Sequence, residues 1–287
     1  MSRIAYVNGR YVPHAKASVH VEDRGYQFAD GVYEVVALVG GRMIDEEPHL
    51  DRLERSLREL RIAMPMSRAA LKLILREVAR RNRIRNGLVY VQITRGVARR
   101  DHPFPKNVAP ALVVTAKRIN PANEATVEAG VKVITIPDIR WERCDIKSVG
   151  LLPNVLGKQQ ARESGAFEAW QVARDGTVTE GTSTNAWIVT RDGELVTRPA
   201  SNAILNGITR LTILKLAKQE GLRFRERPFS VEEAKGAREA FISSATSFVT
   251  PVTQIDEAVI GNGRAGSLSL QLRRAYAEYG QGSSPTT

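Results

Sequence analysis

The chain of 287 residues is poor in the residue types that build disulfide frameworks and metal sites. It contains one cysteine, Cys144, and four scattered histidines, so an intramolecular disulfide is excluded and we expect no metal site. No apolar run approaches the ~20 residues of a membrane span. The N-terminus alternates like a strand and does not resemble a secretory signal. These absences exclude disulfide-rich and membrane proteins and favour a globular protein of the cytoplasm, where thiols stay reduced.

Acidic and aromatic residues are also scarce relative to the basic ones. Lysine and arginine number 42 against 31 acids, and residues 1–120 hold 22 basic and 12 acidic side chains. An excess of basic side chains can bind nucleic acid or attract anionic small molecules. It can also consist simply of residues on solvated helix faces. Single-strand binders interleave charge with stacking aromatics, and Tyr90 is the only aromatic residue between Arg52 and Arg100. We therefore favour solvated faces first, anion attraction second, and no nucleic-acid partner.

The order of predicted strands and helices indicates an α+β protein. The chain lacks the G-x-G-x-x-G, P-loop and H-E-x-x-H motifs. Hairpin signals at Asn8-Gly9, Gly40-Gly41, Asp175-Gly176 and Asp192-Gly193 outnumber strand–helix–strand crossovers. The strand pattern and the basic excess both stop near residue 120. We predict mixed or antiparallel sheets with flanking helices, in a domain of residues 1–120, a linker of residues 121–125, and a domain of residues 126–287.

Three segments carry reactive groups that ordinary structure does not require. Lys147 has mostly apolar neighbours, and desolvation would make its amine a nucleophile, although position alone favours a surface lysine whose stem is buried. Glu180 precedes a run of small hydroxyl residues, which suits either a polar pocket wall or a solvated loop. Gly207 precedes a predicted helix at Ile208 whose free amides suit a phosphate, a weak signal because glycine is common there.

These segments belong to a longer series of motifs. The series is VNGRYV, EDRGYQFADGVYEVV, HLDRL, QITRG to DHPFP, DIRWERCDIKS, TVTEGTSTN, ILNGITR and SSATSFVTP. It covers nearly the whole chain and resembles the fold-type IV pyridoxal-phosphate enzymes, most closely the bacterial D-amino-acid aminotransferases. The resemblance implies a two-domain α+β fold, pyridoxal 5'-phosphate as cofactor, a homodimer, and a cofactor lysine in the C-terminal domain.

The resemblance also implies roles for particular residues around the cofactor. Lys147 matches the lysine that forms the Schiff base, and Glu180 matches the carboxylate on the pyridine nitrogen. Arg52 matches a phosphate-binding arginine. The remaining cofactor positions are Leu205 on the ring and Ile208, Thr209 and Ala245 at the phosphate. Ala245 departs from the family, which has threonine there, so a hydroxyl contact is lost and Ser244 or Thr246 is a candidate to replace it.

For the substrate, Tyr33, Arg100 and His102 match the group that holds the α-carboxylate in the D-amino-acid enzymes. The implied reaction converts D-alanine and 2-oxoglutarate to pyruvate and D-glutamate, so the expected partners are amino acids and 2-oxo acids. Alternatives of the same fold are a branched-chain L-amino-acid transaminase, an (R)-amine transaminase and an aminodeoxychorismate lyase. A basic nucleic-acid-binding protein without catalysis is the remote alternative.

Overall fold

The computed structural model describes residues 3–119 and 124–282. Contacts within the chain divide it into two units, Met1–Asn120 with Ile146–Gly150, and Pro121–Asp145 with Leu151–Thr287. Each unit contains a β-sheet and helices, as the sequence predicts. Residues 121–123 of the expected linker lie outside the described residues, and Glu124 begins a short helix.

The first unit is built on a six-stranded antiparallel sheet. Its spatial order is β2-β1-β6-β5-β3-β4. Asn8 and Gly9 have φ angles of 43° and 93°, which a two-residue turn between right-twisted strands requires; the predicted hairpins at Asn8-Gly9 and Gly40-Gly41 are confirmed. The strands are β1 Ile4–Val7, β2 Arg10–Pro13, β3 Gly31–Val39, β4 Arg42–Met43, β5 Gly87–Thr94 and β6 Ala111–Arg118.

The two long helices of the first unit bury one apolar stripe each. Leu50, Leu53 and Leu57 recur at helical spacing and are buried in the same core cluster as Leu71 and Leu75. The Ser67 side chain accepts a hydrogen bond from the amide of Ala70 at 3.3 Å, which is the predicted N-cap. The helices are α1 Arg24–Phe28, α2 Glu46–Glu59 and α3 Arg68–Arg81, with a 3₁₀ turn at His14–Lys16.

The second unit is built on a nine-stranded mixed sheet. Its order is β12-β11-β10-β13-β14-β7-β8-β9, with β15 beside β14, and the pairs β14–β7, β7–β8 and β11–β12 are parallel. The strands are β7 Val131–Pro137, β8 Glu168–Val172, β9 Val178–Gly181, β10 Asn185–Val189, β11 Leu195–Thr197, β12 Phe224–Glu226, β13 Glu239–Ser244, β14 Phe248–Ile255 and β15 Ala258–Val259. The helices are α4 Glu124–Ala129, α5 Leu152–Glu163, α6 Ile208–Gln219, α7 Val231–Lys235 and α8 Ser267–Gln281.

The segment that carries Lys147 packs with the first unit and not with the second. The amide of Tyr33 donates to the carbonyl of Lys147 at 3.0 Å, and that of Val149 donates to Gly31. Ile146 is buried in the core of the first unit. These contacts correct the expectation that the lysine belongs to the domain of residues 126–287, because backbone pairing to β3 outweighs position along the chain.

Across residues 3–119 and 124–282, no helix is both long enough and apolar enough to cross a bilayer. Within the same ranges, no group of three or more His, Cys, Asp or Glu side chains is arranged to hold a metal ion.

Candidate active site

Lys147 presents its amine to an aromatic wall inside the first unit. Its Nζ lies 3.3 Å from the Tyr33 hydroxyl and 4.3 Å from the centre of the Tyr33 ring. Tyr33 stacks on Tyr90 with ring centres 5.6 Å apart. Among the described residues, no carboxylate pairs with this half-buried ammonium. The Tyr33 hydroxyl and ring thus hold the amine in one place, which suits a positioned nucleophile.

Tyr90 extends the same wall in a neutral form. Burial, assisted by the neighbouring Tyr33, raises the pKa of Tyr90 to about 12. Its hydroxyl donates to Gln92 at 2.6 Å. Tyr90 therefore stays uncharged across the neutral range and supports Tyr33 by packing alone.

Arg52 is held in the same unit by a fully buried carboxylate. The Glu34 carboxylate accepts hydrogen bonds from Arg52 Nε at 2.7 Å and from Arg52 Nη2 at 2.8 Å. His49 Nδ1 lies 2.7 Å from Glu34 Oε2. Burial alone would raise the pKa of Glu34, but the charge and hydrogen bonds of Arg52, with those of His49, hold it well below its usual range. The guanidinium plane of Arg52 is thereby set by two parallel hydrogen bonds.

Arg100 and His102 gather around one phenylalanine. The Arg100 guanidinium lies 4.7 Å from the Phe28 ring centre, and the His102 ring centre lies 5.5 Å from it. Buried Arg24 donates to the carbonyls of Asp101 at 2.6 Å and His102 at 3.2 Å, which fixes the loop. Among the described residues, no hydrogen bond or ring contact joins Arg100 or His102 to Tyr33.

Glu180 is the centre of a buried polar cluster in the second unit. Arg140 Nη1 pairs with its Oε1, which also accepts from the backbone amide of Leu205 at 3.0 Å. The side-chain amide of Asn185 donates to Oε2 at 3.1 Å. Pairing with an always-charged guanidinium favours the ionised carboxylate. These three donors hold the Glu180 carboxylate in one orientation.

Asp138 also holds Arg140 in place. Burial lowers the pKa of Arg140, but hydrogen bonds to Asp138 and the charge of Glu180 raise it above its ordinary value. Asp138 accepts hydrogen bonds from Arg140 Nη2 at 2.7 Å and from Arg140 Nε at 2.9 Å.

Burial also raises the pKa of the Cys144 thiol, to about 11, so this cysteine is not a nucleophile at neutral pH.

The hydroxyls that follow Glu180 bind a second carboxylate. The hydroxyls of Thr182, Ser183 and Thr184 all donate to Glu168, with Ser183 Oγ at 2.8 Å. Glu168 is fully buried and also accepts from its neighbour's amide. A buried carboxylate needs such donors, so these hydroxyls support Glu168.

The start of α6 is a bare helix N-terminus. The cap is Gly207, with no side-chain cap, followed by buried Ile208 and Thr209. A Cβ added at Gly207 would lie 2.1 Å from Asn185 Oδ1, so this approach tolerates only glycine. The first amides of a helix lack intrahelical acceptors, and together they suit an anion.

Ala245 lies in the turn between β13 and β14. The Ser244 hydroxyl accepts from the amides of Thr246 at 3.3 Å and Ser247 at 3.2 Å and lies within 2.9 Å of both their hydroxyls. Phe248 follows with a φ of 55°, a conformation costly for a bulky side chain. The turn therefore offers hydroxyls on either side of the alanine.

Comparison with protein families decides the class. Residues 31–255 match the model of the family described as amino-transferase class IV.

The chain belongs to the class IV aminotransferases. This membership confirms the predicted fold-type IV architecture, the enzyme class, and the dependence on pyridoxal 5'-phosphate.

Individual class IV aminotransferases align over almost the full chain. The D-alanine aminotransferase of Bacillus licheniformis is 42% identical over 93% of this chain and 94% of its own. The D-alanine aminotransferase of Listeria monocytogenes serotype 4b (strain F2365) is 42% identical over 95% of this chain and 94% of its own. The crystal structure of a branched-chain amino acid aminotransferase of T.th. with pyridoxamine 5'-phosphate superimposes with a TM-score of 0.92 at 26% identity, covering 99% of this chain and 96% of that one.

Taken unit by unit, the donors described above have the chemistry that pyridoxal phosphate needs. In the first unit, Lys147 offers an amine without a carboxylate partner among the described residues. In the second unit, Glu180 is a buried acceptor paired with arginine, and the first amides of α6 suit a phosphate. The residues fit the group.

Three supporting residues are not singled out by the sequence analysis. Glu34 is the one charged residue in the apolar strand GVYEVVALV, and that anomaly is a usable signal for a buried ion pair. Arg140 lies within a quoted motif without an assigned role. Glu168 has no local signal, because its hydroxyl donors lie 14 to 16 residues away.

Proposed function

We propose that the protein transaminates D-amino acids, converting D-alanine and 2-oxoglutarate to pyruvate and D-glutamate. The observation that carries the proposal is the 42% identity to D-alanine aminotransferases over more than nine-tenths of both chains. The neighbouring branched-chain enzyme of known structure is only 26% identical. The D-amino-acid reaction is therefore preferred to the branched-chain L-amino-acid, (R)-amine and aminodeoxychorismate lyase alternatives.

Lys147 is assigned two tasks in this reaction. When bound, pyridoxal phosphate supplies an electron sink for negative charge at the substrate Cα. Lys147 holds the cofactor through Nζ and, once released, moves a proton to and from that carbon. The Tyr33 hydroxyl, 3.3 Å away, orients Nζ for both tasks.

Glu180 is assigned to the pyridine nitrogen of the cofactor. A ring nitrogen that keeps its proton draws electrons best, and an ionised acceptor keeps that proton in place. Arg140 and Asn185 contribute by holding Glu180 ionised and in one orientation. Leu205 is assigned to the cofactor ring, and its amide is bound to Glu180.

The phosphate is assigned to four positions. Arg52, oriented by Glu34, offers charge, while Ile208 and Thr209 offer helix amides and a hydroxyl. Ala245 contributes at most its backbone amide.

The substrate carboxylate is assigned to Tyr33, Arg100 and His102. Arg100 and His102 share the Phe28 ring, so their donors are held together. Anchoring the carboxylate there leaves the substrate side chain on the opposite side, which the family resemblance associates with D-substrates.

We also propose a homodimer in the cytoplasm. The family resemblance supports the dimer. The single cysteine, which is a free thiol, supports the cytoplasm as the compartment. Light scattering on the purified protein should give twice the mass of one chain, and a monomeric mass would contradict the dimer.

The test is a screen of amine substrates, with one substrate for each candidate reaction. D-alanine, L-leucine, (R)-phenylethylamine and aminodeoxychorismate are assayed side by side with 2-oxoglutarate, following the cofactor absorption. D-alanine should exceed L-leucine by at least about 10²-fold in kcat/KM, which corresponds to about 2.7 kcal/mol of discrimination. Equal rates for the two would refute the D-specific assignment.

A matched pair of lysine variants tests the assigned amine. Lys147→Ala should lower the rate by ~10³-fold or more, because it removes both the attachment and the proton carrier. Lys218→Ala, at an exposed position of α6, should leave the rate unchanged.

A protein that stays colourless with pyridoxal phosphate and binds DNA with a steep salt dependence would favour the nucleic-acid alternative.

A further inference from the structure

The C-terminal helix α8 contacts both phosphate-binding segments assigned in the second unit. The Tyr276 hydroxyl lies 3.5 Å from Thr209 Oγ1, at the start of α6. The Tyr276 ring packs on Phe248 with centres 5.4 Å apart, at the turn that holds Ala245. Tyr276 is 3% exposed, so both contacts lie inside the unit.

Arg273 precedes Tyr276 by one turn of α8. Its side chain binds backbone carbonyls at the β-turn that holds Ala245. Its Nη1 donates to the carbonyl of Ser247 at 3.3 Å and to that of Val249. These carbonyls flank Phe248, whose φ is 55°. A strained conformation persists only where its surroundings hold it, and Arg273 and Tyr276 supply that restraint from two directions.

The charge of Arg273 is not balanced by protein. Among the described residues it forms no ion pair, and its hydrogen bonds go only to the two carbonyls. Burial lowers the pKa of Arg273, with no acidic group opposing it. Charges withdrawn from water are normally paired in proteins. Arg273 is therefore a half-buried positive charge beside the Ala245 turn, with no acidic partner among the described residues.

We propose that Arg273 and Tyr276 are positioning residues for the cofactor phosphate, which hold the Ala245 turn and Thr209. This inference rests on the proposed function. Tyr276 fixes the rotation of the Thr209 hydroxyl, and Arg273 fixes the turn while adding positive charge to this end of the site.

The test separates binding of the phosphate from binding of the ring. Apoenzyme is titrated with pyridoxal phosphate and, separately, with pyridoxal, which lacks the phosphate, following the cofactor absorption. In Arg273→Gln and Tyr276→Phe, the Kd for pyridoxal phosphate should rise about 5- to 20-fold while that for pyridoxal stays within about twofold. Arg274→Gln, the adjacent exposed arginine, is the matched control and should change neither.

Other outcomes overturn the inference. Equal weakening for both compounds would show a purely structural role, and unchanged Kd values would show none. The thermal midpoint of each apoenzyme is measured alongside; if Arg273→Gln does not fold, Arg273→Lys and Tyr276→Phe decide the result. Failure of the unmodified chain to bind pyridoxal phosphate would overturn the proposed function itself, whereas retained selectivity for the phosphorylated compound in the variants overturns only this inference.

Discussion

Two buried arginine–carboxylate pairs have opposite assignments. In the first unit, Glu34 holds Arg52, and the arginine is the residue assigned to the cofactor. In the second unit, Arg140 holds Glu180, and the carboxylate is the assigned residue. Each functional group is thus oriented by an oppositely charged partner that the sequence pattern does not single out. The comparison shows that pairing sets both the charge state and the direction of a functional side chain.

The strongest test of the first pair removes its negative charge. Glu34→Gln leaves the guanidinium of Arg52 buried against a neutral amide, and loss of one partner of a buried pair costs about 3–5 kcal/mol. We expect the free energy of unfolding in urea to fall by that amount. Glu77→Gln, at the surface of α3, is the control and should leave the unfolding midpoint in place. Equal stability of the two variants would show that the buried pair is not stabilising.

The second pair is tested through catalysis. Glu180→Gln cannot keep the ring nitrogen protonated, so kcat with D-alanine should fall by about 10²–10³-fold, as for loss of other preorganised electrostatic groups. Arg140→Lys keeps the charge but loses the planar fork, and it should cost about tenfold. A larger loss from Arg140→Lys than from Glu180→Gln would reverse the assignment of function and support within this pair.

The pH dependence of stability distinguishes the first pair from the rest of the chain. The pKa of Glu34 is depressed in the folded state, so its contribution is complete above its unfolded value near 4.3 and is lost as the pH falls toward the folded value. Below pH 4, the unmodified protein should lose up to about 1.4 kcal/mol per pH unit more than Glu34→Gln does. Parallel stability curves for the two proteins would contradict the depressed pKa.

Surface pairs provide the smallest expected effect. Arg68, Lys72, Arg76, Arg80 and Arg81 of α3 all pair with acids, so the basic excess of this region comes from other side chains. Arg58 and Arg83 are exposed and, among the described residues, without an acidic partner. Replacing both with glutamine should lower kcat/KM for 2-oxoglutarate about twofold at low salt and not at high salt. Lys218→Gln is the control, and an equal effect there would exclude steering by this region.

Much of the local structure could be predicted from sequence. The turn at Asn8-Gly9 and the cap at Ser67 follow from chemistry within a few residues. The leucines at 50, 53 and 57 are buried as their spacing predicts. The motifs also identified the family, which the comparisons confirm.

The roles of some side chains could not be predicted, because their partners are distant in sequence. The sequence suggests a pocket wall or a solvated loop for the hydroxyls of Thr182, Ser183 and Thr184. The structure adds that all three donate to Glu168, which no local pattern indicates. Lys147 likewise joins the unit of Tyr33, 114 residues away, because its backbone pairs with β3. Neither outcome is visible in spacing or composition.

By itself, the amino-acid order determined much of the secondary structure and the enzyme family, and it named the candidate reactive groups, because turns, caps, amphipathic stripes and motifs are properties of short segments. Only the tertiary structure decided which charges meet. Whether Glu34 is ionised, whether Arg140 supports Glu180, and whether Arg273 lacks a counter-charge depend on burial and on groups brought together from distant positions. Electrostatic energies vary steeply with distance and desolvation, and those two quantities exist only in the folded chain.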